Sequence, residues 1–514
     1  MGAVEIVLLL VGLATVVAVI ARKADVPAPS LLVVAGVVVG LLPGAPAVHL
    51  NPEIVGLVVL PPLVYAAGEE LSFRDLARVW KPVSILAVGL VAASAGAVAL
   101  VIVAATSMSW PAGLLLGAIL ASTDPVAVSA LGRRLALPAK LRALVQAESL
   151  FNDATSLILF RIAVTIAVGT AAFSPTAALG QFLVLAVGGA VVGAAVGLLV
   201  AGLRKITEDP MVETVIFLVT PYLAFVAAEH VHGSGVTAVV VAAVILGALG
   251  PRLTTPSGRL QLHAVHATAV FILESVVFSL IGLQLPTLIR EERGGWVIPA
   301  VAVTVVLLLL RVLWVFPLSA TRALRVADTG RPSWRAAAVV SWAGARGVVP
   351  LAAALSIPLL TDDGKPFAER TLILVIAIAV IVVSLVMQGF TLVPLVRWAG
   401  IAVPKADKHQ ELQDAWQRLT RAGHDHIGSI ADGSQYEPEV VDRARQAVDA
   451  TAQLASDIHP DSITEQYRQL RRDILERQTH ELADMTRLGV ISDGLRRHIQ
   501  HHLDLENERL HNNH

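Results

Sequence analysis

Long apolar runs separated by short polar breaks recur along the chain from Val4 to Leu395. An α-helix needs about 20 residues to cross about 30 Å of hydrocarbon, and most of these runs approach or exceed that length. Helices are expected because lipid cannot solvate an unpaired backbone, and the runs are too long and too apolar for barrel strands. The pattern predicts an all-α polytopic membrane protein of about thirteen spans. These are residues 3–21, 29–43, 52–68, 82–106, 110–131, 139–169, 178–203, 211–231, 234–250, 262–287, 296–320, 334–359 and 370–397.

The pattern changes near residue 400, which divides the chain into a predicted transmembrane domain, 1–400, and a polar domain, 401–514. Apolar residues at helical spacing, such as Leu412, Trp416 and Leu419, predict amphipathic helices in this tail. Its 14 basic and 20 acidic residues argue against binding to nucleic acid or anionic lipid. A regulatory or dimer-stabilising module and a merely solubilising tail both fit.

Composition and charge set the membrane topology. Of the residues, 55% are hydrophobic and 15% charged, and the mean hydropathy is +0.71. Seventeen Lys and Arg residues fall in the odd-numbered loops against four in the even-numbered ones. Because cytoplasmic loops retain basic residues, we expect a multi-pass protein of the cell membrane with its N-terminus outside and its tail cytoplasmic. The absence of cysteine excludes disulfides, thiolate catalysis and Cys-ligated metal sites.

The fifth span contains Thr123-Asp124-Pro125, where proline should break the helix. A break within the membrane frees carbonyl groups and helix ends that can coordinate a cation. A proline kink with Asp124 as a helix cap is the simpler alternative.

The sixth span contains Glu148-Ser149-Leu150-Phe151-Asn152-Asp153. Glu148 and Asn152 share one helix face, and so do Ser149 and Asp153, since each pair is four residues apart. Oxygen ligands of this kind suit a hard cation such as Na+. The alternative, a polar seam between helices, fits two carboxylates poorly.

The twelfth span carries Arg346 between Gly344 and Gly347, ahead of Pro350, which predicts a second broken helix. Arg346 must neutralise a carboxylate or cap the helix ends at the break. The fifth and twelfth spans cross in opposite directions, which predicts an inverted repeat of spans 1–6 and 8–13. Paired broken helices are typical of a secondary transporter.

These three motifs, Thr123–Pro125, Glu148–Asp153 and Gly344–Gly347, resemble those of the monovalent cation/proton antiporter 1 family, the NhaP-type sodium/proton exchangers, over roughly residues 5–400. The resemblance implies a thirteen-helix fold with crossed broken helices, a dimerisation domain and a moving core domain. It also implies a homodimer.

The same resemblance implies that Asp153 binds both the cation and the proton. Thr123, through its backbone carbonyl, Asp124, Ser149 and Glu148 would complete the Na+ site. Asn152 would occupy a position that is aspartate in electrogenic relatives, which fits electroneutral one-for-one exchange.

The third span departs from the family pattern, because Ala66 replaces a common glutamate. The carboxylate partner of Arg346 is therefore open, with Glu148 as the first expectation. Two other charges inside spans, Arg161 and Glu274, are expected to pair with one another, and Arg311 is interpreted as snorkelling or marking a helix contact.

The sequence thus predicts an antiporter that exchanges Na+ or Li+ for H+. A carboxylate removed from water is neutralised by either a proton or a cation, and this competition produces antiport. A K+/H+ antiporter of the same fold is the nearest alternative, and an intramembrane hydrolase using Asp124 and Asp153 is a more distant one. No nucleotide-binding loop occurs and no cofactor is predicted.

Overall fold

The structure is a computed structural model that describes residues 3–24, 28–42, 55–71, 73–124, 137–169, 174–207, 209–253, 256–291, 295–319, 334–401, 405–431, 437–456 and 462–487, with 495, 499, 500 and 503. It divides into two compact units, Met1–Ala402 and Val403–His514. Within the described residues it is helical, with one isolated β-bridge between Leu360 and Pro366.

Fourteen helices among the described residues of the first unit correspond to the thirteen predicted spans. They are α1 (Ala3–Ala24), α2 (Ala28–Leu41), α3 (the π-helical Val55–Val59 followed by Leu60–Glu69), α4 (Phe73–Ser84, the π-helical Ile85–Leu90 and Val91–Ala105), α5 (Trp110–Ala121), α6 (Ala139–Val168), α7 (Pro175–Lys205), α8 (Pro210–His230), α9 (Gly235–Leu253), α10 (Pro256–Glu291), α11 (Val297–Ser319), α12 (Trp334–Trp342), α13 (Val348–Leu355) and α14 (Arg370–Ala399). Seven are long and apolar enough to cross a membrane, and five shorter ones are also apolar. The all-α polytopic fold is confirmed.

Local sequence sets where these helices begin and end. Ser109 precedes α5 and Ser174 precedes α7, and each serine side chain accepts a hydrogen bond from a backbone N–H of the first turn. Asp209 does the same for α8. Helix α14 ends at Ala399, and the next residue, Gly400, has a left-handed conformation (φ 61°) that favours glycine.

Both predicted helix breaks are present. Helix α5 ends at Ala121, and Ser122 is extended. The rest of the predicted fifth span, from Pro125, lies outside the described residues. The predicted twelfth span is divided into α12 and α13 by the non-helical residues 343–347.

The helices of the first unit pack as two bundles. The core bundle contains α4, α5, α6, α11, α12, α13 and α14, and the flanking bundle contains α1, α2, α3, α7, α8, α9 and α10, because each helix packs mainly within its own group. Each predicted six-span repeat thus gives its last three spans to the core bundle and its first three to the flanking bundle. This division follows the predicted inverted repeat.

The described residues of the second unit form three long helices, α15 (Lys405–Ala431), α16 (Pro438–Ser456) and α17 (Ser462–Arg487). Helices α15 and α16 pack together, and His424 Nε2 lies 2.8 Å from Asp449 Oδ1. The predicted helical character of the tail is confirmed over these ranges.

Candidate functional site

The polar residues of the predicted site meet where α5 ends beside the middle of α6. Thr123, Ser149 and Asn152 are buried, and only 8% of Asp153 is exposed. Asp124 is half-buried. Since buried polar groups need partners, the hydrogen bonds of this group define the site.

Four hydrogen bonds join the extended segment after α5 to α6, and in the longest of them Thr123 N donates to Asn152 Oδ1 at 3.4 Å. Ser122 Oγ donates to Asp153 Oδ1 at 2.7 Å, and Ser149 Oγ donates to the Thr123 carbonyl oxygen at 2.5 Å. Asn152 Nδ2 donates to Thr123 Oγ1 at 2.6 Å. Ser122 was not predicted, although it directly precedes the Thr123 motif. The structure therefore gathers carboxylate, hydroxyl, amide and carbonyl oxygens in one hydrogen-bonded group.

Asp124 lies where the two broken segments cross. Its N–H donates to the Ala345 carbonyl oxygen at 2.7 Å, and its carboxylate Oδ2 accepts a hydrogen bond from Val348 N at 3.2 Å. A Cβ atom at Gly347 would overlap this carboxylate. Glycine is thus required here by the close approach of Asp124, and the carboxylate lies at the first residue of α13.

Glu148 forms a buried ion pair with Arg311 of α11. Arg311 Nη1 lies 2.5 Å from Glu148 Oε1, and Nη2 lies 3.1 Å from Oε2. The same guanidinium donates to the carbonyl oxygens of Val340 and Ser341 at the end of α12. The expected pairing of Glu148 with Arg346 is therefore wrong, and Arg311 neither snorkels nor merely marks a contact. Both carboxylate oxygens of Glu148 face Arg311.

The guanidinium of Arg346 contacts the backbone of the break rather than a carboxylate. Its Nη1 donates to the Gly344 carbonyl oxygen at 2.7 Å, within the break between α12 and α13. Its backbone N–H donates to Ser384 Oγ of α14 at 3.0 Å. Among the described residues no carboxylate lies within ion-pair distance of this guanidinium, of which 5% is exposed.

Two narrow voids in the described part of the core bundle adjoin this group. One is lined by Thr123, Asn152, Glu148, Arg311 and Arg346 with apolar residues of α4, and has no room for a water molecule. The other lies between α11, the α12–α13 break and α14, and its volume of about 10 Å³ is about the room of one water molecule. The site is therefore closely packed in this conformation. No group of three His, Cys, Asp or Glu residues able to hold a metal ion occurs in the described part of the chain.

The other intramembrane charges pair differently from the prediction. Arg161 of α6 forms an ion pair with Glu229 of α8, so the expected pairing with Glu274 is wrong. Arg204 of α7 pairs with Glu213 of α8 at 2.8 Å, with both side chains buried.

Comparison with known proteins identifies relatives of the whole chain. The family model described as sodium/hydrogen exchanger, transmembrane, matches residues 7–398. An uncharacterised Na+/H+ exchanger of Mycobacterium tuberculosis is 34% identical over 525 residues, covering 98% of this chain and 96% of the relative. A sodium, potassium, lithium and rubidium/H+ antiporter of Bacillus pumilus is 31% identical, covering 77% of this chain and 61% of the relative. The Na+/H+ antiporter ApNhaP of Aphanothece halophytica is also 31% identical, covering 77% and 74%.

The fold also matches a solved structure. The sodium proton antiporter MjNhaP1 from Methanocaldococcus jannaschii superimposes with a TM-score of 0.61 at 20% identity, covering 78% of this chain and 97% of that chain. The likeness supports the arrangement of helices described above.

Proposed function

Because the chain belongs to the sodium/hydrogen exchanger family, we propose that it exchanges Na+ or Li+ for H+ at one shared carboxylate, Asp153. Members of this family are secondary transporters rather than enzymes, so the hydrolase alternative is set aside. The observation that carries the proposal is the burial of Asp153, hydrogen-bonded to Ser122, four residues after Ser149, which binds the Thr123 carbonyl.

Competition at Asp153 follows from its surroundings. A carboxylate with little access to water is stabilised by whichever positive charge binds it, a proton or a cation. Ser149 Oγ, the Thr123 carbonyl oxygen and the Asp124 carboxylate are oxygen atoms of the type that Na+ binds. Since one carboxylate cannot hold both charges, binding of Na+ releases the proton.

The balance of charge supports one-for-one exchange. The core bundle site holds three carboxylates, Asp124, Glu148 and Asp153, against two guanidiniums, Arg311 and Arg346, which leaves one negative charge when all are ionised. One Na+ or one H+ neutralises this charge. A site with zero net charge crosses the membrane at least cost, because an uncompensated charge in a low dielectric is expensive. Exchange is therefore electroneutral.

Alternating access would come from the two bundles. All the residues of this site belong to the core bundle, so movement of this bundle against the flanking bundle would carry the loaded site from one side to the other. We further propose a homodimer in the cell membrane, with the N-terminus outside and residues 401–514 in the cytoplasm.

A K+/H+ antiporter is the second candidate. The Bacillus pumilus relative is named for sodium, potassium, lithium and rubidium. Since the oxygen ligands found here bind several alkali cations, the choice depends on ligand distances and cavity size.

The test is dissipation of a pH gradient in proteoliposomes after addition of Na+, Li+ or K+. Wild type should release protons with Na+ and Li+, and Asp153→Asn should not respond to any cation because an amide carries no exchangeable charge. Asp363→Asn, an exposed aspartate of the loop before α14, is the matched control and should behave as wild type. Proton release by K+ equal to that by Na+ would favour the second candidate, a K+/H+ antiporter. Sodium-dependent proton movement retained in Asp153→Asn would contradict the assignment of Asp153.

A further inference from the structure

Arg161 and Glu229 form a partly exposed ion pair at the boundary of the two bundles. Arg161 Nη2 contacts Glu229 Oε1, and 33% of each side chain is exposed. Glu229 Oε1 also accepts a hydrogen bond from Gly235 N at 3.1 Å, at the start of α9. The carboxylate is thereby fixed at the junction of α8 and α9 while Arg161 approaches it from α6.

This ion pair differs from the others in what it joins. Arg161 belongs to the core bundle and Glu229 to the flanking bundle, whereas Glu148–Arg311 lies within the core bundle and Arg204–Glu213 within the flanking bundle. Among the ion pairs that the structure describes in the first unit, it alone crosses the boundary.

The position of the pair along α6 relates it to the site. Arg161 lies eight residues after Asp153, which is about 12 Å toward the carboxyl end of the helix at 1.5 Å per residue. About 10 Å in the other direction, Gln146 Nε2 approaches Glu70 Oε2 of the flanking bundle at 3.5 Å, the limit of a hydrogen bond. Helix α6 is thus joined to the flanking bundle by an ion pair on one side of Asp153 and by a long contact between an amide and a carboxylate on the other.

We propose that Arg161 and Glu229 form a latch that closes the path from Asp153 to the membrane face at the carboxyl end of α6. The latch rests on the alternating access of the proposed function and must open once in every exchange cycle. Ion pairs with this exposure add little net stability because water competes for both charges, so this one can break and reform within a cycle. The basic-loop pattern assigns this end of α6 to the outer side.

The absence of cysteine allows a direct test in the full chain. Arg161→Cys/Glu229→Cys is joined in proteoliposomes with a reducible bifunctional thiosulfonate, and exchange is followed by the pH gradient. Closing the latch covalently should abolish exchange, and reduction should restore it. Each single cysteine variant, treated with the same reagent, should continue to exchange.

The matched control joins two residues of the core bundle at the same end of the molecule. Ser109 Oγ donates to Glu369 Oε2 at 2.9 Å, so Ser109→Cys/Glu369→Cys can be joined by the same reagent. That crosslink should leave exchange unchanged, because it does not cross the boundary. Undiminished exchange by the Arg161–Glu229 crosslinked protein would overturn the latch. Absence of cation-dependent exchange in wild type would instead remove the proposed function, so the two failures are distinguishable.

Charge neutralisation gives a second, crosslink-free test. Arg161→Gln and Glu229→Gln should each change the Na+ concentration for half-maximal exchange by about two- to fivefold, in the same direction. Glutamine at 229 retains an oxygen for Gly235 N. The double variant should change this Na+ concentration no further than either single variant does, because each single variant already removes the same interaction. Effects that multiply in the double variant would show that the two residues act independently and overturn the proposal.

Discussion

The buried pair between Glu148 and Arg311 should contribute strongly to the stability of the core bundle. Only 1% of the Glu148 side chain and 3% of the Arg311 side chain are exposed, and two hydrogen bonds join them. We predict that Glu148→Gln and Arg311→Gln each destabilise the folded protein, while the double variant is less affected than their sum. The reason is that either single change leaves one charge buried without its partner.

The structure predicts different losses of stability for the two single variants. Loss of one member of a buried pair costs about 3–5 kcal/mol in the free energy of unfolding. Glu148→Gln leaves Arg311 with the carbonyl oxygens of Val340 and Ser341, so its cost should lie near about 3 kcal/mol. Arg311→Gln leaves the Glu148 carboxylate without another described donor, so its cost should lie near about 5 kcal/mol. The coupling between the two changes should reach about 2 kcal/mol.

Unfolding titrations in mixed micelles of dodecylmaltoside and SDS, followed by tryptophan fluorescence, measure these differences. Arg445→Gln is the surface control, since Arg445 lies 3.4 Å from Asp442 with 47% of its side chain exposed, and it should change stability by less than about 1 kcal/mol. If both single variants in the core bundle unfold within about 1 kcal/mol of wild type, or if the double variant equals their sum, the reasoning about this pair is refuted.

Two further predictions follow from the site and from the division of the chain. Gly347→Ala should abolish exchange in the pH-gradient assay because the added Cβ atom would overlap the Asp124 carboxylate. The control is Gly96→Ala, whose added Cβ atom meets open space and which should exchange as wild type does. Normal exchange by Gly347→Ala would contradict the described crossing of the two segments. Removal of the residues after 405 should leave cation-dependent exchange intact because the chain divides at Val403, and loss of exchange would count against this. In the same truncated protein, an unchanged pH dependence with an unchanged dimer content would exclude a regulatory module.

Local patterns in the sequence were sufficient to predict the helices and the two breaks. Apolar run length marks a span, and a proline after Asp124 or glycines around Arg346 mark a break, because each of these effects acts within a few residues. The group of Thr123, Asn152 and Asp153 was also predictable. A helix break inside the membrane leaves backbone groups without hydrogen-bond partners, and the polar face of a neighbouring helix can supply them.

The charge pairs could not be predicted from local patterns. Glu148 and Arg311 are 163 residues apart, and nothing in the spacing of either residue distinguishes Arg311 from Arg346 as the partner. Likewise Arg161 pairs with Glu229 rather than Glu274, because the packing of α6 against α7 and α9 decides which carboxylate is near. Which charged residues form ion pairs depends on how the helices pack in three dimensions, and the spacing of residues along the chain does not determine this packing.

The separation of Glu148 and Arg311 along the chain has a consequence for biosynthesis. At about 5–20 residues per second, the ribosome needs roughly 8–30 seconds to advance from one residue to the other. Throughout this interval the nascent α6 carries a carboxylate whose partner has not been made. The final packing of α6 around Glu148 can form only after Arg311 of α11 has been made, so completion of the second repeat commits the first to its final place.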